Sequence, residues 1–104
     1  MYLVIEVYVL TKKLPKDERF GLISQMQRSA LSITSNIAEG YGRSHRGDYL
    51  HHLSIARGSL CELETQIIIA GRLKYLTNAE AKKAWDLCQS CGKMFTSMIR
   101  KLKV

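Results

Sequence analysis

At 104 residues the chain carries one domain's worth of sequence, too short for two independent cores. Apolar residues at 46%, charged residues at 24%, 7 Gly and 1 Pro exclude disordered, collagenous and disulfide-scaffold classes. The 16 Lys and Arg against 9 Asp and Glu leave +7 and a sequence pI near 9.5, a balance that favours polyanionic partners such as nucleic acid or an anionic membrane surface.

Met1 to Leu10 is apolar but short, contains Glu6, and has neither a basic start nor a small-residue cleavage site, so it reads as neither a signal peptide nor a membrane span. Its β-branched and aromatic content is ambiguous. Leu3, Val7, Leu10 and Leu14 nevertheless fit a helical stripe, and a lone strand has nothing to pair with, so a helix over about 2–13 is expected. Beyond Pro15, Phe20, Ile23, Met26, Ala30, Ile33 and Ile37 mark one face of a second helix, about 18–40, ended by Gly40 and Gly42. Asp48 is read as the N-cap of a third, about 48–75, in which Tyr49, Leu53, Ala56, Leu60, Leu63, Ile67 and Ala70 alternate spacings of four and three. Thr77 or Asn78 caps the last, about 78–102, with Ala81, Ala84, Cys88, Cys91, Phe95, Met98 and Leu102 as its stripe. The sum is an all-α, antiparallel up-down-up-down four-helix bundle in one domain, 1–104, with a shortened first helix.

The third helix should run about 40 Å and the first only about 18 Å. The end away from the Pro15 loop should therefore expose apolar faces of the three long helices, so that either a partner covers them or the start is truncated. Ile67, Ile68 and Ile69 point three ways on one helix, which suggests burial beyond the core of one chain and hence oligomerisation.

Three cysteines without an export signal are expected as reduced thiols in the cytoplasm. Cys88-x-x-Cys91 lies on the apolar stripe and, even with Cys61, falls short of the four ligands of a structural zinc site, so both read as buried small hydrophobes and no metal or cofactor is expected. His45, His51 and His52 read as solvated or phosphate-contacting, because adjacent helical side chains diverge. Asp48-x-x-His51 is too little for a di-iron carboxylate site, and Gly40-Tyr41-Gly42-Arg43 follows a helix without the spacing of a phosphate loop. Glu39, Glu62 and Glu64 are expected in structural charge pairs with cations such as Arg28 and Arg57. With no nucleophile and base, metal cluster or phosphate cradle, the chain reads as non-enzymatic.

Up-down topology would bring Arg43 and Arg46 towards Arg100, Lys101 and Lys103, against Glu39 and Asp48. At the opposite end Lys12, Lys13, Lys16, Arg19, Arg72, Lys74, Lys82 and Lys83 face Asp17, Glu18 and Glu80. Both ends come out positive, which suits backbone-directed, salt-sensitive phosphate contact. No base-reading signature is present.

Glu18-Arg19-Phe20-Gly21-Leu22, Ser35-Asn36-Ile37-Ala38-Glu39-Gly40 and Gly58-Ser59-Leu60-Cys61-Glu62-Leu63-Glu64-Thr65-Gln66 resemble, in order, three marker segments of the four-helix-bundle proteins associated with bacterial 23S rRNA intervening sequences; the likeness spans about Thr11 to Thr77. Thr34 stands where that family commonly has Pro, and the family's first helix usually starts further upstream. The resemblance implies a homopentameric ring or barrel. A related branch, the accessory variability proteins of diversity-generating retroelements, implies contact with nucleic acid and a reverse transcriptase through basic surface. The expected function is therefore a cytoplasmic, homo-oligomeric bundle that binds RNA or DNA backbone. Its contacts would be Arg43, Arg46, Arg100 and Lys101, with Arg72, Lys74, Lys82 and Lys83 next, and no membrane is involved. The alternative is a protein-interaction scaffold, such as a reverse-transcriptase accessory, with incidental charge.

Overall fold

The computed structural model describes residues 2–42 and 45–103, the side chain of Lys103 excepted. Its four α-helices are α1 (Tyr2–Thr11), α2 (Leu22–Tyr41), α3 (Arg46–Arg72) and α4 (Asn78–Lys103), with a single 3₁₀ turn at Lys16–Glu18. There is no strand among the described residues.

The stripes expected from spacing are the stripes that pack, except that Phe20, expected on the face of α2, precedes that helix and is exposed. Leu3, Val7, Leu10 and Leu14, then Met26, Ala30 and Ile33, then Leu53 through Ala70, then Ala84, Cys88 and Phe95 form one buried cluster shared by all four helices. Helix α1 packs on α2 and α4, and α3 packs on the same two, while the diagonal pairs stay apart. Side-chain contacts give the directions. Ser32 meets Ser59 and Asn36 meets His52 across α2 and α3, so the two run antiparallel. Glu64–Gln89 across α3 and α4, with Leu60 beside Gly92 and Ala81 beside Gly71, gives the same sense. So do Lys83–Glu6 and Lys13–Glu80 across α4 and α1.

Helix ends differ from expectation for local reasons. Helix α1 stops at Thr11 rather than 13 because the chain tightens into three-residue turns through Leu14, and Thr11 Oγ1 donates to its own helix at Tyr8 O while accepting from Gln27 Nε2. Helix α2 starts at Leu22, not 18, since Glu18 closes the 3₁₀ turn and residues 19–21 continue in three-residue turns, with Gly21 N–H donating to Glu18 O. Asp48 is not the N-cap of α3: the helix starts two residues earlier, after His45, and Asp48 lies in its first turn, where a carboxylate still complements the helix dipole. Helix α3 ends at Arg72, not 75. Tyr75 N–H donates to Ala70 O and Lys74 N–H to Gly71 O, a Schellman closure with Lys74 left-handed at φ 64°. Of the two caps considered for α4, Thr77 is the one used: its Oγ1 accepts the Glu80 N–H, and Glu80 Oε1 accepts the Thr77 N–H.

At 10 residues α1 reaches about 15 Å, against about 40 Å for the 27 residues of α3. At the end beyond it, Ile37, Tyr49, Met98, Ile99 and Leu102 are half-buried against the core rather than bare. Tyr41 is exposed at that end, and a further set of exposed apolar side chains lies on the outer face of α1 itself, at Tyr2, Ile5 (64% exposed) and Val9 (49%). Ile67 is buried, whereas Ile68 and Ile69 both face solvent in the single chain.

Candidate nucleic-acid interface

Phosphate-binding surface needs cations free of carboxylate partners, so the ion pairs decide which basic residues remain available. At the Pro15 end Lys13 pairs with Glu80, Lys82 with Asp86 one turn along at 2.8 Å, and Lys83 with Glu6 at 3.0 Å. The Glu6 hydrogen bond holds the Lys83 ammonium above its ordinary value, and the Lys13 hydrogen bond, seconded by the Thr77 amide, holds Glu80 below its own. Lys82 and Lys83, read from sequence as phosphate contacts, thus already carry carboxylates. Arg72 and Lys74 are exposed and make no ion pair among the described residues. Arg19 lies over the exposed Phe20 ring, 4.9 Å from its centroid.

At the other end Arg46 is exposed in the first turn of α3, and Arg100 and Lys101 are exposed in the last turns of α4, again without ion pairs among the described residues. Arg43 lies outside the described residues. The α3–α4 register sets Arg100 opposite the neighbourhood of His52, about 9 Å along the axis from Arg46. Arg100 is gathered instead with Arg57 and Lys93 on the walls of an open groove of about 430 Å³ between α3 and α4.

Of the charge pairs expected from sequence, those of Arg28, Arg57 and Glu62 have no counterpart among the described residues. All three residues are exposed, and Glu64 Oε2 accepts from the neutral Gln89 Nε2 at 2.6 Å. Glu39 stands at an exposed position of α2. Sequence reasoning assigned Arg57 to a charge pair and Lys93 to no group, whereas both line the α3–α4 groove. The signal was there, because Lys93 and Arg100 lie seven apart on one face of α4.

Between α2 and α3 polar groups are spent on helix pairing. Ser32 and Ser59 hydroxyls meet at 2.7 Å, and Asn36 Nδ2 donates to Ser32 O at 2.8 Å, leaving Asn36 Oδ1 to accept from His52 Nδ1 at 3.0 Å. This fixes the His52 ring with its proton on Nδ1. His52 is thus tied to α2, while His45 and His51 are exposed. Cys88 is fully buried and Cys91 half-buried, as their stripe positions implied; burial pushes both thiols up, Cys88 to about 12 with Glu64 adding to it. Cys61 is exposed.

The class defined by fold and charge is an all-α bundle with a strongly basic surface. The family model described as 23S rRNA-intervening sequence protein matches residues 1–97, and the chain belongs to that family. Similar in structure is a crystallised protein of unknown function from the S23 ribosomal protein family of Bacteroides thetaiotaomicron VPI-5482, at 25% identity and a TM-score of 0.88, over 94% of this chain and 92% of that one. No curated protein matches. No helix among the described residues is long and apolar enough to cross a membrane.

Proposed function

We propose that the chain is a non-enzymatic, self-associating bundle of the cytoplasm that binds the phosphate backbone of RNA or DNA through its basic surfaces. The observation that carries this reading is the set of exposed cations without ion pairs among the described residues, Arg46, Arg100 and Lys101 at one end and Arg72 and Lys74 at the other, on a chain of net +7. Lys82 and Lys83 contribute less, because phosphate must displace Asp86 and Glu6. The test is an anisotropy titration with structured RNA and duplex DNA across salt. Affinity should fall steeply with salt, and each alanine at Arg46, Arg100 or Lys101 should lower the log–log slope by about 1. No binding at low salt sinks the proposal and leaves the charge to solubility.

A second observation favours self-association: apart from Glu6, which pairs with Lys83, and Thr11, α1 is built of apolar and aromatic residues, yet Tyr2, Ile5 and Val9 face solvent. A second copy of the chain covers this face in our reading, with the homopentamer as the assembly that the family resemblance implies. A protein-scaffold role, with a reverse transcriptase as the partner, uses the same face and differs in its salt response, since an apolar contact persists or tightens as salt rises. Light scattering on Ile5→Lys/Val9→Lys checks the assembly: a change to monomer is expected, and an unchanged mass refutes α1 as the contact.

A further inference from the structure

The α3–α4 groove is chemically polarised along its length. Arg57 and Arg100 line one end, the Glu64–Gln89 hydrogen bond marks the other, and Lys93 stands between them, about 6 Å from Gln89 and about 10 Å from Arg100 along α4. Arg57 stands about 10 Å from Glu64 along α3, and Arg100 about 16 Å from Gln89 along α4. An inorganic phosphate would use the basic end alone, with Glu64 opposing it. A ligand with a phosphate at one end and a hydrogen-bond donor at the other satisfies both.

The geometry points to this groove as a site for one nucleotide, its phosphate held among Arg57, Lys93 and Arg100 and the exocyclic amine of its base donating to Glu64. Guanidinium groups match phosphate oxygens with paired N–H donors, and a carboxylate accepts from the N4 amine of cytosine. Gln89 Nε2 occupies Glu64 Oε2, which orients the carboxylate and leaves Oε1 for the base. Gly92 adds no side chain to the groove it lines, and about 430 Å³ is within the range of small-ligand sites. The inference rests on the nucleic-acid reading for its ligand class but adds base preference, which backbone contact alone does not give. Bases with an exocyclic amine are favoured, and uracil, which has none, is disfavoured.

Calorimetric titration of the full chain with CMP, UMP and the tetranucleotides of each tests it. CMP should bind about fivefold or more tighter than UMP. Arg57→Ala/Lys93→Ala, both at exposed positions, should lose about tenfold or more on either nucleotide with the helical circular dichroism unchanged. Glu64→Gln should bring CMP and UMP within about twofold of each other. Tighter tetracytidylate than CMP identifies a unit of a single strand, and equal affinity identifies a free nucleotide; both keep the site. Absence of CMP binding at millimolar concentration, or equal affinity for CMP and UMP, overturns it. If structured RNA still binds with steep salt dependence in that case, only the groove fails; if RNA binding is lost as well, the proposed function falls with it.

Discussion

The Tyr75 hydroxyl, in the turn that follows α3, donates to Glu18 Oε2 at 2.9 Å and so ties that turn to the segment opening α2. The second carboxylate oxygen, Oε1, accepts the Leu22 N–H at 3.2 Å, one of the amides at the start of α2 that has no helical acceptor. One side chain thus caps a helix and joins the two loops at this end of the bundle. Gly21 leaves the room for it: a Cβ there would sit 2.8 Å from Glu18 Oε1.

Removing the hydroxyl with Tyr75→Phe should lower the midpoint of urea denaturation, and Glu18→Ala, which also uncaps α2, should lower it further. Gly21→Ala should act mainly by displacing the Glu18 carboxylate, so its cost should shrink in a Glu18→Ala background; an equal cost in both would place the loss in the backbone. The Glu18 hydrogen bond, then burial, hold the Tyr75 phenol above its ordinary value. A raised folded value means that the stabilisation is complete below about pH 10 and is lost as pH rises through the folded value. Wild type and Tyr75→Phe should therefore converge in stability only at strongly alkaline pH.

The reciprocal bonds of Thr77 and Glu80 predict that Thr77→Ala costs about 1 kcal/mol, measured by thermal or urea unfolding. Glu80 titrates below the usual carboxylate range, chiefly through its hydrogen bond from Lys13 and then that from the Thr77 amide. A lowered folded value contributes stability above about pH 4 and loses it as pH falls through the folded value. Glu80→Gln should flatten the acid limb of the stability curve. An acid limb unchanged by that substitution would exclude Glu80 as its source.

The core was legible in the sequence because helical periodicity reports burial directly: Leu53, Ala56, Leu60, Leu63, Ile67 and Ala70 are all buried at their expected positions. Helix ends were less legible. The end of α3 was expected three residues late because its left-handed residue is Lys74, where glycine is the usual signal. The candidate site was half legible. Net charge and the loop cations can be counted from sequence, but the meeting of Arg57 with Lys93 and Arg100 depends on the α3–α4 register, which apolar spacing alone does not set. In the three marker segments the structural reasons are now local: Gly21 admits Glu18, Asn36 binds His52, and Ser59 binds Ser32.

Glycines on the helices divide into two kinds. A Cβ on Gly40 would lie 2.9 Å from His52 Cβ and 3.0 Å from the Tyr49 ring, so α2 and α3 close on each other there. Gly40→Ala should cost about 1–3 kcal/mol by forcing the helices apart. Gly58 has open space around its Cβ position and lies well inside α3, so Gly58→Ala should gain about 0.5–1 kcal/mol through helix propensity. Chemical denaturation of the two variants gives shifts of opposite sign if the close approach is real; a neutral Gly40→Ala would show that it is not.

Lys74 sets stability against the proposed function. It is the non-glycine residue with positive φ among the described residues, at 64°, and a side chain in that conformation costs about 1–2 kcal/mol relative to right-handed backbone. Glycine would remove the steric cost but lose about 0.5–1 kcal/mol of backbone entropy, so Lys74→Gly should stabilise the fold by about 0.5–1 kcal/mol. The Schellman bonds would persist, because they run through backbone groups at Ala70, Gly71 and Tyr75. The same substitution removes an exposed cation from the basic end, so affinity for structured RNA should fall and the salt slope should drop by about 1. Lys74→Asn, which tolerates the left-handed backbone without the charge, should reproduce the affinity loss with a smaller gain in stability. If Lys74→Gly stabilises the protein and leaves RNA affinity untouched, Lys74 is not a phosphate contact, and the strained lysine at this turn has no explanation in nucleic-acid binding.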